Sequence, residues 1–175
     1  MDAGPDVRRA AVALVLREAA EGVELLFIRR AIFPGDPWSG QVAFPGGRHE
    51  PGDESLVQTA IRETHEELSI DLAADARLIG SLDDLHPRTP VLPPIVVRPF
   101  VFGAHGNLTL ALSPEVADAF WVPIPVLGAP ETSAESVVEV RGMPIRVPSF
   151  RHGDHVIWGM TERMLRQFLE VVLSA

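Results

Sequence analysis

Apolar positions run almost unbroken through residues 10–16 and 23–28, two β-prone runs separated by the more polar Arg17-Glu18-Ala19-Ala20-Glu21-Gly22. Such a pair reads as a β-hairpin, and the connector's alanines leave a short helical turn as the alternative. Residues 31–39, with Pro34, Gly35 and Pro37, read as a loop. Residues 40–44 read as a short strand entering a Gly46-Gly47 turn, and Glu50-Pro51-Gly52-Asp53 as a second turn. The clearest helix covers 54–68. Leu56, Ala60, Thr64 and Leu68 recur every fourth residue and predict its buried stripe, with Glu63, Glu66 and Glu67 largely off it. Ser55 with Gln58 has capping-box spacing, and Asp53 is the alternative cap.

Further along, 77–82 reads as a strand and 83–94 as an irregular Pro-rich segment carrying His86 and Arg88. Residues 95–102 form a strand that Pro99 marks as an edge or a bulge. Residues 115–120 read as a short turn ahead of Trp121-Val122-Pro123. Residues 137–147 alternate around Gly142 and predict a bend or hairpin, and Arg151-His152-Gly153-Asp154 predicts a turn. Residues 160–173 predict an amphipathic helix with Met164, Leu165, Phe168, Leu169 and Val172 on its apolar face and Thr161 or Ser174 at its ends. Strands, helix, strands, helix is the order of an α+β or α/β sandwich, with helices flanking a mixed sheet. With 175 residues and no repeat, charge block or low-complexity linker, one domain over 1–175 is expected.

Composition narrows the function. Hydrophobic residues make up 46%, enough for a core, and 16 Pro with 14 Gly argue against an all-helical bundle. The net charge of −9 disfavours binding to a nucleic-acid backbone. It leaves anionic small molecules open, because bound metal can invert the local field. The absence of cysteine excludes disulfides, thiolate catalysis and Cys-based zinc sites in this chain. The first ten residues are polar, without a signal-peptide apolar region, and no apolar run approaches the ~20 residues of a membrane helix. A soluble cytoplasmic protein without membrane attachment is expected. Edge-like strands permit a homodimer without requiring one.

The chemistry concentrates on 62–67. Glu63 lies three and four residues from Glu66 and Glu67, and like charges so spaced cost about 0.2–0.5 kcal/mol per pair. A carboxylate-rich helix is ordinarily a solvated face. Here the cluster follows a glycine turn, and clustered carboxylates suit Mg²⁺ or Mn²⁺, which bridge to substrate phosphates. Glycine lets backbone approach a metal or phosphate closely. Arg62 pairs with Glu66 one turn on or holds Glu63. Arg29, Arg30 and Arg48 are candidate phosphate ligands beside Gly47. His65 is expected to be exposed, and His152 and His155 flank a turn without zinc-site spacing.

This stretch resembles the Nudix hydrolase signature, G-x5-E-x7-R-E-U-x-E-E-x-G-U with U bulky aliphatic. Glu54, Arg62-Glu63, Glu66-Glu67 and Ile70 match in register. Gly47 lies one residue too far upstream, Thr64 replaces the first aliphatic and Ser69 the glycine. Gly40-Gln41-Val42-Ala43-Phe44-Pro45-Gly46-Gly47, Leu25-Leu26-Phe27-Ile28-Arg29 and Ile157-Trp158-Gly159-Met160-Thr161 resemble the coenzyme A diphosphatase branch, with a longer loop before Gly40. The resemblance implies a Nudix-like α/β/α sandwich and an Mg²⁺- or Mn²⁺-dependent diphosphatase acting on a small-molecule diphosphate, coenzyme A or an acyl derivative. It implies Glu63, Glu66, Glu67 and the Gly46 carbonyl as metal ligands, and Glu67 or Glu63 orienting or deprotonating water, with Arg62 in the catalytic set. Glu115 is the candidate for a later acidic base; a turn cap is the plainer role for it. Alternatives are another nucleoside-diphosphate-linked compound or a nucleoside triphosphate, and a silent nucleotide-binding module. Allylic isomerisation, which this fold also hosts, would want a cysteine or a similar acid-base group, and the chain has no cysteine.

Overall fold

The computed structural model describes residues 7–87 and 93–175. Arg88 and Leu92 of the Pro-rich segment lie outside the described residues. Strands β1 (Arg8–Ala19) and β2 (Gly22–Arg30) form the expected hairpin. The strands run through the connector to the pair Ala19–Gly22, so a two-residue turn replaces both the longer link and the helical alternative. β1 also pairs in parallel with β6 (Ile95–Ala104), which pairs with β5 (Ala76–Ser81). β2 carries β3 (Val42–Ala43) and β7 (Val116–Pro123). The result is a seven-stranded mixed sheet, to which β4 (Gly46–Arg48) is added through β1.

Several expectations are corrected here. Gly46-Gly47 is not a turn but the strand β4, with Ala11 opposite Gly47 and Val12 opposite Gly46. Residues 116–120 belong to strand β7, and the turn is confined to Pro114-Glu115. β6 is an interior strand, not an edge. Pro99 sits one residue past the last β5 pair, Ser81–Phe100, where its carbonyl accepts from the Leu82 N–H at 3.0 Å and its nitrogen has no proton to return, and the irregularity lies in β5 between Leu78 and Gly80.

β8 (Ser133–Val140), β9 (Met143–His152) and β10 (His155–Trp158) build a second, three-stranded sheet. Its first hairpin turns at Arg141-Gly142, both at positive φ, as a type I′ turn requires. Helices α1 (Leu56–Leu68) and α2 (Leu72–Asp75) cover one face of the large sheet. α3 (Ile124–Leu127) and α4 (Gly159–Leu173), with the second sheet, cover the other. Alternation along β1 and β2 explains why. Leu14, Leu25 and Phe27 pack toward Phe150, Ile157, Leu165 and Phe168, whereas Ala13, Val15, Leu26 and Ile28 pack toward Ala60, Leu68 and Leu72. This is the expected α/β/α arrangement. α4 buries Met164, Leu165, Phe168 and Leu169 as predicted, Ser174 is its C-cap, and Glu162 is an unexpected buried carboxylate paired with Arg166. No helix among the described residues is long and apolar enough to cross a membrane.

Candidate active site

α1 starts at Leu56, two residues later than expected. Ser55 is the N-cap, its Oγ accepting from the Gln58 amide at 3.3 Å. Asp53 does not cap. Its carboxylate takes both arms of Arg62, from Nε at 2.8 Å and a terminal nitrogen at 3.0 Å, plus the Thr59 hydroxyl at 2.9 Å and the Glu50 amide at 3.0 Å. The charge-assisted bonds from Arg62 hold the Asp53 carboxyl well below the usual range, against the upward push of burial. Arg62 also donates to the Arg48 carbonyl at 2.9 Å and reaches Glu63 at 3.2 Å and Glu66 at 3.3 Å. Both pairings expected of Arg62 are thus present. The residue that fixes it is Asp53, whereas Glu54, matched to the signature by spacing, is exposed. Gly47 and Asp53 do stand in G-x5-acid spacing, so the extra residue lies between Asp53 and Arg62; that spacing was the available clue.

Glu67 overturns its expected place off the buried stripe. It is 4% exposed, and its Oε2 accepts from the Gly46 amide at 3.0 Å. Burial pushes its carboxyl up to about 8, with the Gly46 N–H opposing and the Glu63 charge reinforcing. Burial also raises the Glu63 carboxyl, Arg62 lowers it, and Glu66 and Glu115 add to the rise. Glu115 is exposed and acts on both Glu63 and Glu67, so α1 and the loop before β7 converge. Hydrogen bonds from Ala31 N to Glu115 O and from Ser113 N to Glu67 O tie that loop down.

Both glycines of β4 are required by close approach. A Cβ on Gly46 would lie 2.3 Å from the Ala11 carbonyl oxygen, and one on Gly47 2.4 Å from Glu63 Oε1. The strand therefore doubles as a floor beneath the carboxylates. The chain's other departures from the signature are visible too. Thr64 is fully buried and its Oγ1 has no hydrogen-bond partner among the described residues. Ser69 takes the left-handed conformation at φ +58° that glycine adopts freely.

The remaining candidates separate. Glu66 is exposed and turned to Arg62, and among the described residues no three carboxylate or imidazole groups are gathered closely enough to hold a metal. Arg30 exerts its charge on Glu67 and is held by Asp36 at 2.9 Å. Its neighbour Arg29 lines a cleft with Gly40, Gln41, Val42, His155 and Trp158. Arg48 contributes its carbonyl to Arg62 while the residue itself is exposed. Buried Glu67 and half-buried Glu63 stand side by side, each with raised proton affinity that Arg30 and Arg62 only partly offset, so the donor set fits a hard divalent cation.

The family profile of the NUDIX domain matches residues 7–139. The uncharacterized Nudix hydrolase NudL of Photorhabdus laumondii is 34% identical over 135 residues, covering 77% of this chain and 70% of that protein. The same-named protein of Yersinia enterocolitica is 33% identical over 138 residues, covering 77% and 67%. A MutT/nudix family protein of Enterococcus faecalis shares the fold with a TM-score of 0.64 at 18% identity, covering 98% of this chain and 64% of that one. A C. elegans Ap4A hydrolase superposes with a TM-score of 0.58 at 24% identity, covering 68% and 82%. A profile spanning most of the chain and relatives bearing the Nudix hydrolase name agree with the carboxylate helix: the chain belongs to the Nudix family and is a Nudix diphosphatase.

Proposed function

We propose that this enzyme hydrolyses the diphosphate of coenzyme A or its acyl derivatives, giving adenosine 3′,5′-bisphosphate and (acyl-)phosphopantetheine. One observation carries the choice. The two segments that resemble the coenzyme A branch, 40–47 and 157–161, lie far apart in sequence, yet Gly40, Gln41 and Val42 face Trp158 across one cleft beside Arg29.

Glu63, Glu66, Glu67 and the Gly46 carbonyl would hold Mg²⁺ or Mn²⁺, with Glu66 leaving Arg62 to do so. When bound, the ion supplies Lewis-acid polarisation of the phosphoryl oxygens. The chain's own residues do the rest. A carboxylate base, Glu67 or Glu63 or Glu115, takes a proton from water as its oxygen bonds to one phosphorus. The bridging P–O bond breaks, and the bridging oxygen leaves with the other phosphate. The Gly46 N–H fixes the Glu67 carboxylate for that transfer, and such a base contributes roughly 10²–10⁴-fold. Arg62, held by Asp53, orients Glu63. Arg30, Arg29 and Arg48 supply guanidinium charge to phosphate oxygens, and Gly47 leaves room above β4.

A panel of coenzyme A, acetyl-coenzyme A, a nucleotide sugar, a dinucleoside polyphosphate and a nucleoside triphosphate tests this, with Mg²⁺ and with Mn²⁺ and with products identified by mass. Adenosine 3′,5′-bisphosphate from coenzyme A is the expected result. Cleavage of another member with coenzyme A untouched overturns the assignment.

A further inference from the structure

We infer that the cleft between the two sheets is a nucleoside subsite that selects a purine bearing an exocyclic amino group. The inference rests on the reading that the substrate's diphosphate carries a nucleoside. The cleft, of about 390 Å³, is within the size range of small-ligand sites. β10 supplies His155 and Trp158, and the strand that carries Arg30 toward Glu67 supplies Arg29. Arg29 and Arg30, adjacent on β2, therefore place one guanidinium on the cleft face of the sheet and the other on the face of the carboxylate helix.

The ring of His155 is held by packing. It stacks on Phe120 with centroids 3.7 Å apart and planes 8° from parallel. Phe120 stacks on Phe27 at 5.7 Å, and Phe27 on Phe44 at 5.0 Å. A column of four rings therefore rises from the core and ends at the cleft. Its last member is half-buried, as is Trp158. Fixed aromatic faces at the end of a rigid stack suit a flat heterocycle and lose little entropy on binding it.

The polar lining decides what the flat group carries. Glu139 and Asp154 are carboxylates at the rim and Gln41 adds an amide, while Asp118, outside the lining, stands 4.0 Å from His155 Nε2. Against these stands Arg29. A rim with this excess of acceptors repels a phosphate deep in the cleft and favours a hydrogen-bond donor there. An exocyclic amino group meets that requirement and a ring carbonyl does not. The phosphates then lie on the Arg29 side.

Calorimetric titration of the full chain with AMP, IMP and ribose 5-phosphate tests the subsite without turnover. AMP is expected to bind at least tenfold more tightly than either of the others. Trp158→Ala should weaken AMP about tenfold, as loss of one base–aromatic stack does, with Trp158→Phe restoring most of the binding. His155→Ala should weaken AMP in the same sense, and it keeps the test open if Trp158→Ala fails to fold. Equal binding of AMP and ribose 5-phosphate overturns the inference, as does AMP binding unchanged in His155→Ala and Trp158→Phe together with an unchanged or unfolded Trp158→Ala. Equal binding of AMP and IMP overturns the amino selection. Coenzyme A cleavage without base preference sinks this inference alone. Base-selective AMP binding without coenzyme A cleavage sinks the substrate assignment and leaves the subsite standing.

Discussion

Glu67 sits under opposed demands. Its place against the Gly46 amide, 4% exposed and beside Glu63, is unfavourable for an ionised side chain in the metal-free protein. Glu67→Gln keeps an oxygen to accept the Gly46 N–H and leaves a group that cannot ionise. Turnover is expected to fall by at least about 10²-fold, while the metal-free melting temperature stays level or rises. Steady-state rates and thermal melts on the same preparations check both halves, and near-normal turnover would remove Glu67 from the chemistry. Two neighbours in α1 carry costs of a different kind. Thr64 buries a hydroxyl without a partner, and Ser69 holds φ +58° with a Cβ. Thr64→Val removes the orphaned group at nearly constant shape and should stabilise by about 1–2 kcal/mol. Ser69→Gly relieves left-handed strain of roughly 1–2 kcal/mol, less the larger backbone entropy that glycine loses on folding, and should leave a net gain in stability. Denaturant midpoints measured with unchanged m-values test these two, and a lower midpoint in either variant would contradict the cost assigned to that side chain.

The loop before α1 and the first turns of the helix act as one element because Asp53 and Arg62 lock them together. The Asp53 side chain is 5% exposed and receives both arms of the guanidinium. Asp53→Asn exchanges two charge-assisted bonds for weaker ones and should cost about 1–3 kcal/mol. The pH dependence follows from the direction of the shift. The folded pKa lies below the unfolded value of about 3.9. The contribution is therefore fully present above that unfolded value and is lost as pH falls through the folded one. The stability gap between wild type and Asp53→Asn should be constant from about pH 5 to 8 and close below about pH 4, as read by urea unfolding at each pH. A gap that widens in acid would exclude this linkage.

The same loop marks where sequence reading stops. The β1–β2 hairpin, α1 and α4 were legible because burial is written locally, as near-continuous apolar runs in strands covered on both faces and as a stripe recurring every three to four residues in the helices. β4 was not legible. Two consecutive glycines read as a turn, and only pairing with β1, more than thirty residues earlier, makes them a strand. Glu67 stood out as a candidate from spacing, but its burial depends on β4 lying over the helix. Asp53 looked like a cap because the ion pair that occupies it closes across nine residues.

At the scale of the whole molecule, the helix that completes one face of the sheet also carries the carboxylates, so occupancy of the site and stability of the fold are linked. α1 buries Ala60 and Leu68 against β1 and β2 while Glu63 and Glu67 face β4. A divalent cation taken by the folded chain and not by the unfolded one stabilises by about 2.7 kcal/mol at one hundred times its dissociation constant. For a chain of this length that corresponds to a rise of roughly 5–11 °C in melting temperature. Mn²⁺ or Mg²⁺ should therefore raise the melting temperature of the wild type in proportion to the logarithm of its concentration, and chelation should reverse the rise. Glu67→Gln, with a melting temperature at or above wild type without metal, should lose most of the increment, so the order of the two proteins inverts as metal is added. Titrating Mn²⁺ during thermal melts of both proteins reads this crossing directly. Parallel curves would mean that the ion binds elsewhere, and that the repulsion built into α1 is not the charge it neutralises.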